Sequence, residues 1–460
     1  MKLVKMSLAA AVLLGTSAFA IDNIKVNGDA KLFYNTTNSG TAANNSLFDQ
    51  STSAADAALR LGVTGDLLKG VSFGVTANGV STLGLENNMV ANTWTGAHSD
   101  GNGSVGANDT DDTGWISELW IAATLGKTTA KIGRMELDTP LAFSEKWSVA
   151  VNTFDAAVLI NQDIPDTTLI GAWVGKGNGV NHLAPLASTT QVADVKDNRA
   201  DVGLDGFMGA GAKMTTFGEK GAYAVAAINN SFKPLTAQAW YYDIGAVADA
   251  YWLQADIDCQ LVKGVKIGAQ YANIDPKGLV DNITIANGAG GAKDSSAYAV
   301  KLAYEGVQNL KVSAAFSDVD EDGVLNIANT ATNNLVTAQS KLYTEAWWNY
   351  GYVGAPGATS WNITAEYDAG FAKFGAYYTD VEIDNKNNAV VGVLNGLDAG
   401  RANGIDMTEV TLTASKSFGP LDATLAYIST DAEDQNLNAA GTAGSGSRYD
   451  SIQAYLTLNF

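Results

Sequence analysis

The residues best placed to do chemistry in this sequence are carboxylates and amines. At Asp318-Val319-Asp320-Glu321-Asp322-Gly323, carboxylates at alternate positions followed by glycine reproduce the opening of a calcium loop, where such side chains supply oxygen ligands before a sharp turn. Position seven would be the Val324 carbonyl, but position twelve is Asn329, where a complete loop carries a bidentate Glu. Asp318, Asp320 and Asp322 are therefore candidate ligands for calcium, the one cofactor the sequence offers; no cofactor is required, and a solvated acidic strand end accounts for the same residues. Catalytic groups are poorly supplied. Only His98 and His182 are present, neither on a predicted strand. The single Cys259 shares its parity with Leu253, Ala255, Ile257 and Leu261, as a small apolar residue would. Gly101-Asn102-Gly103-Ser104-Val105-Gly106 spells a dinucleotide fingerprint, yet no helix follows whose N-terminus could hold a pyrophosphate. The expectation is a protein that is not an enzyme.

The remaining charges alternate with apolar residues, and that spacing defines the elements that carry them. In Leu59-Arg60-Leu61-Gly62-Val63-Thr64-Gly65-Asp66-Leu67 the odd positions are apolar and the even ones small or polar. The same split separates Trp361, Ile363, Ala365 and Tyr367 from Asn362, Thr364, Glu366 and Asp368. It also separates Tyr298, Val300, Leu302 and Tyr304 from Ala297, Ala299, Lys301 and Glu305. Period two means strands with one greasy and one wet face. Eighteen such segments are predicted: 24–36, 56–68, 71–82, 114–125, 129–138, 153–163, 168–176, 221–231, 234–244, 249–261, 265–275, 295–305, 309–319, 360–369, 371–382, 406–418, 421–431 and 449–460. The number falls to sixteen if two of the weaker ones, such as 168–176 or 234–244, fail. Very short links, among them Leu68-Lys69-Gly70, Gly126-Lys127-Thr128, Gly306-Val307-Gln308 and Gly419-Pro420, alternate with long polar segments, apart from one short link near Gly245. A sandwich has no reason to keep its long loops at one end. A transmembrane antiparallel β-barrel does, with short periplasmic turns, long extracellular loops, an apolar face toward lipid and a polar face toward the lumen. Parity then assigns Lys25, Asp29, Lys31, Arg60, Asp66, Glu118, Lys266, Lys301, Lys311, Glu366, Asp368 and Lys373 to the lumen.

Composition agrees. The 460 residues carry 28 Lys+Arg against 48 Asp+Glu, a net charge of -20, which excludes a basic nucleic-acid footprint. Charged residues make up 17%, below the ~25% typical of soluble proteins. Lys2 and Lys5, the apolar run Leu8–Leu14 and Ser17-Ala18-Phe19-Ala20 read as a cleavable secretory signal over 1–20, too short for a spanning helix, leaving 21–460 as one barrel. The chain ends on an alternating strand closed by Phe460, like the recognition signal for the outer-membrane barrel-assembly machinery. Together these place the chain in a bacterial outer membrane, in contact with its lipid and lipopolysaccharide.

Two stretches carry a family resemblance. Lys131-Ile132-Gly133-Arg134-Met135-Glu136-Leu137-Asp138-Thr139-Pro140-Leu141 and Glu345-Ala346-Trp347-Trp348-Asn349-Tyr350-Gly351-Tyr352-Val353-Gly354-Ala355-Pro356 resemble the Campylobacter-type (epsilonproteobacterial) major outer membrane porins. The resemblance implies a homotrimer of eighteen-stranded barrels, each a water-filled pore for passive diffusion of small hydrophilic solutes and ions. It also implies an inward constriction loop after the fifth strand, here about 139–152, bearing Glu145, Lys146 and Trp147. Arg134 and Glu136 share the parity of Ile132, so they line the pore only if Gly133 carries a bulge. Loop 83–113 has Glu86, Asp100, Asp109, Asp111 and Asp112 with no Lys or Arg, so an acidic outer mouth should favour cations. A substrate-specific channel is the nearest alternative; a surface structural or adhesive protein is further off, since no solenoid repeat is visible.

Overall fold

A computed structural model of the chain describes residues 21–38, 46–85, 88–90, 113–147, 149–178, 214–216, 221–278, 280–282, 291–331, 338–384, 403–432 and 448–460. The signal-peptide reading, His98, His182 and most of loop 83–113 lie outside these residues. The strands are β1 Asp22–Thr37, β2 Ser53–Leu68, β3 Val71–Ser81, β4 Thr113–Leu125, β5 Thr128–Met135, β6 Phe154–Asn161, β7 Thr167–Gly177, β8 Ala222–Asn229 and β9 Leu235–Ile244. They continue as β10 Ala248–Asp258, β11 Val265–Pro276, β12 Ser295–Val307, β13 Leu310–Val319, β14 Ala358–Asp368, β15 Lys373–Asp384, β16 Asn403–Phe418, β17 Leu421–Ala432 and β18 Arg448–Asn459. A two-residue strand, Thr215–Thr216, lies beside the end of β7. Each of the eighteen pairs antiparallel with its sequence neighbours, and β1 pairs with both β2 and β18, so the sheet closes into an eighteen-stranded barrel. Segments 168–176 and 234–244 are both strands, which removes the sixteen-stranded alternative.

Parity decides what each wall presents. Leu59, Ile121, Leu159, Val225, Leu253, Val300, Ile363, Leu412 and Leu425 are exposed on the outer wall. Their strand neighbours, such as Ala58, Ala122, Ala226, Trp252, Ala299, Asn362, Thr411 and Ala426, are buried on the inner one. An apolar exterior of this extent has no place on a soluble monomer and is the surface that meets lipid in a transmembrane barrel. No described helix is long and apolar enough to cross a membrane, so the crossing elements are strands. The tight turns need left-handed backbone, supplied for example by Gly70 (φ 79°) and Gly419 (φ 67°). One predicted turn moves: β12 runs through Val307 and Asn309 (φ 62°), rather than Gly306, makes the reversal into β13.

Closure is completed by the last residue. Phe460 and Gly28 exchange two backbone hydrogen bonds, of 2.9 and 3.0 Å. A side chain at Gly28 would meet the Phe460 ring at 2.7 Å, so β1 offers a bare seat for the terminal aromatic. β5 ends at Met135, short of the predicted 138, because residues 136–147 and 149–153 leave the wall and pack inside the barrel, with Leu141, Phe143, Val149, Ala150 and Val151 buried. Part of the connection from β13 to β14 does the same, burying Ile327, Ala328, Leu342, Ala346, Tyr352 and Val353. The larger of the two buried apolar clusters among the described residues therefore lies inside the barrel, between these two segments and the inner wall.

Candidate functional site

Charged side chains meet in the lumen where β1, β2 and the segment after β5 converge. Asp29 on β1 and Arg60 on β2 are directly opposed in the register, so both point inward. The Arg60 guanidinium lies 2.6 Å from Asp29 and 3.1 Å from Glu136, tying the first two strands to the constriction segment. Lys31, two residues along the same face, is within electrostatic range of Asp29, Arg60, Glu136 and Lys146. Glu118 on β4 accepts a 3.1 Å bond from Thr76 Oγ1, and Lys131 on β5 holds its ammonium 4.2 Å from the Trp120 ring centroid. Amines and carboxylates thus share one level of the lumen, an arrangement that sets a transverse field for polar solutes.

Several candidate residues lie elsewhere. Arg134 is paired opposite Leu119, an exposed outer-wall residue, and bonds Asp155 at 2.9 Å and the Ile116 carbonyl at 3.0 Å. Gly133 does adopt φ 127°, but the β4–β5 register runs on regularly, so Arg134 keeps the outward parity of Ile132 and does not line the pore. Glu136 reaches the lumen because it follows the end of the strand, where alternation no longer binds it. The irregularity in this region belongs to β4, at Ser117. Glu145 is 1% exposed and cannot face channel water. It accepts hydrogen bonds from Asn329 Nδ2 (3.0 Å), the Gln339 amide (3.3 Å) and Trp147 Nε1 (2.8 Å), joining the two internal segments. Its neighbour Lys146 is exposed.

Asp66 sits at the short-turn end of β2, bonded to Asn23 at 2.6 Å, and Asp368 caps the β14–β15 turn through the Gly370 amide at 2.8 Å. Glu366 accepts from Tyr377 at 3.0 Å, and Lys301 lies 4.1 Å from the Tyr343 ring centroid. The calcium reading is not met by the geometry. Asp318 pairs opposite outward-facing Tyr298 and accepts from Thr359 (3.0 Å), Asp320 accepts from Ser296 (2.7 Å), and Asp322 pairs with Lys293 (2.8 Å). The strand ends at Val319, each of the three carboxylates is engaged by a different partner, and no group of three metal-ligating side chains exists among the described residues. Gly70-Val71-Ser72-Phe73-Gly74 spells a nucleophile elbow, but 71–74 run along β3 and offer no strand-to-helix turn.

The segment 338–357 is a lumen element that strand parity does not announce, although its aromatic density within a long polar loop is a signal of burial. Glu409 on β16 is 1% exposed and accepts from the backbone amides of Trp347 (3.0 Å), Trp348 (3.2 Å) and Asn349 (2.7 Å) and from Asn349 Nδ2 (2.8 Å). Glu345 accepts from the amides of Ser340 and Ala346. Burial pushes its carboxyl well above the usual carboxylate range; the two amide bonds work against this, and Glu409 and Glu145 add to it. Lys341 pairs with Asp138 at 2.6 Å across the two internal segments. Tyr343 bonds Asp256 at 2.6 Å, and its ring lies where a side chain at inward-facing Gly268 would come within 2.5 Å. Gly268→Val should therefore dislodge this ring and raise single-channel conductance with the barrel intact; an unchanged conductance would show that Tyr343 does not restrict the lumen.

Fold and site together define an eighteen-stranded transmembrane barrel whose lumen is partly filled by two of its own connections. Neither protein-family models nor curated proteins match the chain. Solved structures do. It is similar to Pseudomonas aeruginosa OccK8 (OprE), with TM-score 0.65 and 13% identity over 95% of this chain and 98% of that one. It is also similar to the outer membrane protein OpdK of Pseudomonas aeruginosa (0.64, 12%, 95% and 99%) and to OccK2 (OpdF) of that organism in complex with glucuronate (0.62, 13%, 95% and 98%). At these identities the likeness shows a shared fold.

Proposed function

We propose that this chain is a bacterial outer-membrane porin, a non-enzymatic, water-filled channel for passive diffusion of small hydrophilic solutes and ions. The observation that carries the reading is a closed barrel with an apolar exterior and, inside it, the Asp29–Arg60–Glu136 cluster facing Lys31 and Lys146. The resemblance to Campylobacter-type major outer membrane porins supports a homotrimer, and the seat of Phe460 against Gly28 supports insertion by the barrel-assembly machinery into lipid and lipopolysaccharide. Filling of the lumen by residues 136–147, 149–153 and 338–357 favours a second reading, a channel that selects among solutes. Cation preference follows from the net charge of -20 and should weaken as salt screens it. In a salt gradient across a planar bilayer at low ionic strength, the reversal potential should take the sign for cation passage; anion preference would overturn this part of the reading.

A further inference from the structure

At the long-loop end of β1 to β3, two short segments fold back over the outside of the barrel. Thr36 on β1 is directly opposed to Ser53 on β2, and Ser81 on β3 is opposed to Ala57. All three lie on the face that carries exposed Leu59, so they project from the outer wall. Strand positions on that face ordinarily meet lipid. Here Thr36, Ser53 and Ala55 are fully buried. Residues 46–52 are held against them: the Phe48 amide donates to Thr36 Oγ1 at 2.8 Å, and Ser53 Oγ donates to the Asp49 carbonyl at 2.7 Å. The second segment follows β3, where the Leu83 amide donates to Ser81 Oγ at 3.0 Å. Gln50 Nε2 ties the two together through the Val90 carbonyl at 3.2 Å.

One device therefore occurs twice. Phe48 (φ 71°) and Leu83 (φ 57°) each have their amide held by an outer-wall hydroxyl and their backbone in the left-handed region. Glycine or asparagine enters that region readily, whereas a bulky side chain does so at a cost and persists there only where its surroundings enforce it. In both cases the apolar side chain ends outside the protein, 64% exposed at Phe48 and 70% at Leu83. Met89, beside buried Val90, is a third such residue. Among the described residues of the two segments the only ionisable side chain is Asp49, taken up by the Ser46 amide and hydroxyl at 2.9 and 3.0 Å. The surface is thus apolar and nearly uncharged, and along β2 it continues the wall that Leu59 presents to lipid.

We propose that Phe48, Leu83 and Met89 form a membrane-anchoring collar, in which the connections after β1 and β3 turn outward and seat these side chains in the hydrocarbon boundary of the outer leaflet. Phe, Leu and Met have no polar tip, so acyl chains match them better than headgroups or water do. Barrels ordinarily carry an aromatic girdle at this interface. Tyr34, the aromatic that β1 offers to it, is half-buried with its hydroxyl 3.3 Å from Ser53 Oγ, and Phe48 supplies the exposed ring instead. The inference concerns the outer wall and stands apart from what the lumen passes.

The test is nitroxide labelling of Phe48→Cys, Leu83→Cys and Met89→Cys, each in the full-length Cys259→Ser protein reconstituted in liposomes. Electron paramagnetic resonance then compares accessibility to oxygen, which concentrates in hydrocarbon, with accessibility to a water-soluble nickel chelate. Leu59→Cys supplies the lipid reference, and Lys69→Cys, exposed in a short turn, supplies the water reference. At all three collar positions the oxygen-to-nickel ratio should match that at Leu59 and exceed that at Lys69 at least about tenfold. Met89 lies outside the left-handed region, so its label decides the matter if substitution at Phe48 or Leu83 prevents folding into a heat-modifiable barrel. Ratios equal to that at Lys69 would show a collar that meets water and would overturn the proposal. Exclusion of both reagents, with dipolar broadening that disappears on dilution with unlabelled protein, would overturn it too, by placing a second copy of this chain on the face.

Discussion

Glu409→Ala is expected to open the lumen more than any other single substitution in the chain. Its carboxylate is the common acceptor for the amides of Trp347, Trp348 and Asn349, and hydrogen bonds to a charged acceptor contribute about 1.5–3 kcal/mol each. Alanine would leave those donors and Asn349 Nδ2 without this partner, in a place where Glu409 is 1% exposed. An unsatisfied buried amide is costly, so the segment should leave the wall and hydrate. The barrel itself should persist, because the β15–β16 and β16–β17 ladders do not use the Glu409 side chain. A several-fold rise in unitary conductance, with unchanged strand content in far-UV circular dichroism, is the expected result. Glu409→Gln should fall between, since one amide oxygen can still accept. Conductance equal to that of the unsubstituted protein would mean that the segment does not obstruct the pore.

The second large effect is on pH dependence. Glu345 is held above the ordinary carboxylate range by burial, with Glu409 and Glu145 facing it from β16 and from the constriction segment. Released into water its carboxyl would return to about 4.5, so the packed arrangement binds more protons than the released one. Packing is therefore fully favoured below about pH 4.5 and loses stability as pH rises, by at most about 1.4 kcal/mol per pH unit for one proton. Open probability in bilayer recordings should rise from pH 5 to pH 9. Glu345→Gln, neutral at every pH, should stay in the packed state and flatten that rise. A channel that opens in acid instead, or a Gln variant that keeps the full response, would contradict this assignment.

Much of the barrel was legible because each strand's parity is a local property. Leu59 and Arg60 announce their faces two residues at a time, and the structure follows them around the closed sheet. The failures lie where something non-local intervenes. Arg134 and Glu136 have the same parity, but only the second escapes the wall, because the strand ends at Met135 between them. The alternation of Asp318, Asp320 and Asp322 looks like a ligand ladder in one dimension, yet the strand ends at Val319 and the carboxylates are taken up separately by Thr359, Ser296 and Lys293. Glu145 and Glu345 look like solvated loop acids. Their burial depends on partners far away in sequence, as in the bond from Asn329 to the Phe143 carbonyl, 186 residues apart. The sequence marks 320–359 as a long loop but cannot say that its later part turns into the lumen. Trp347, Trp348, Tyr350 and Tyr352 were the available sign, since such residues seldom collect in a loop that faces water.

The most direct test of the whole account is the single-channel conductance of the purified full-length protein reconstituted in planar bilayers. The account predicts discrete, ohmic current steps in potassium chloride, which grow several-fold in Glu409→Ala. A protein that inserts as a heat-modifiable β-barrel yet passes no current in either form would contradict it.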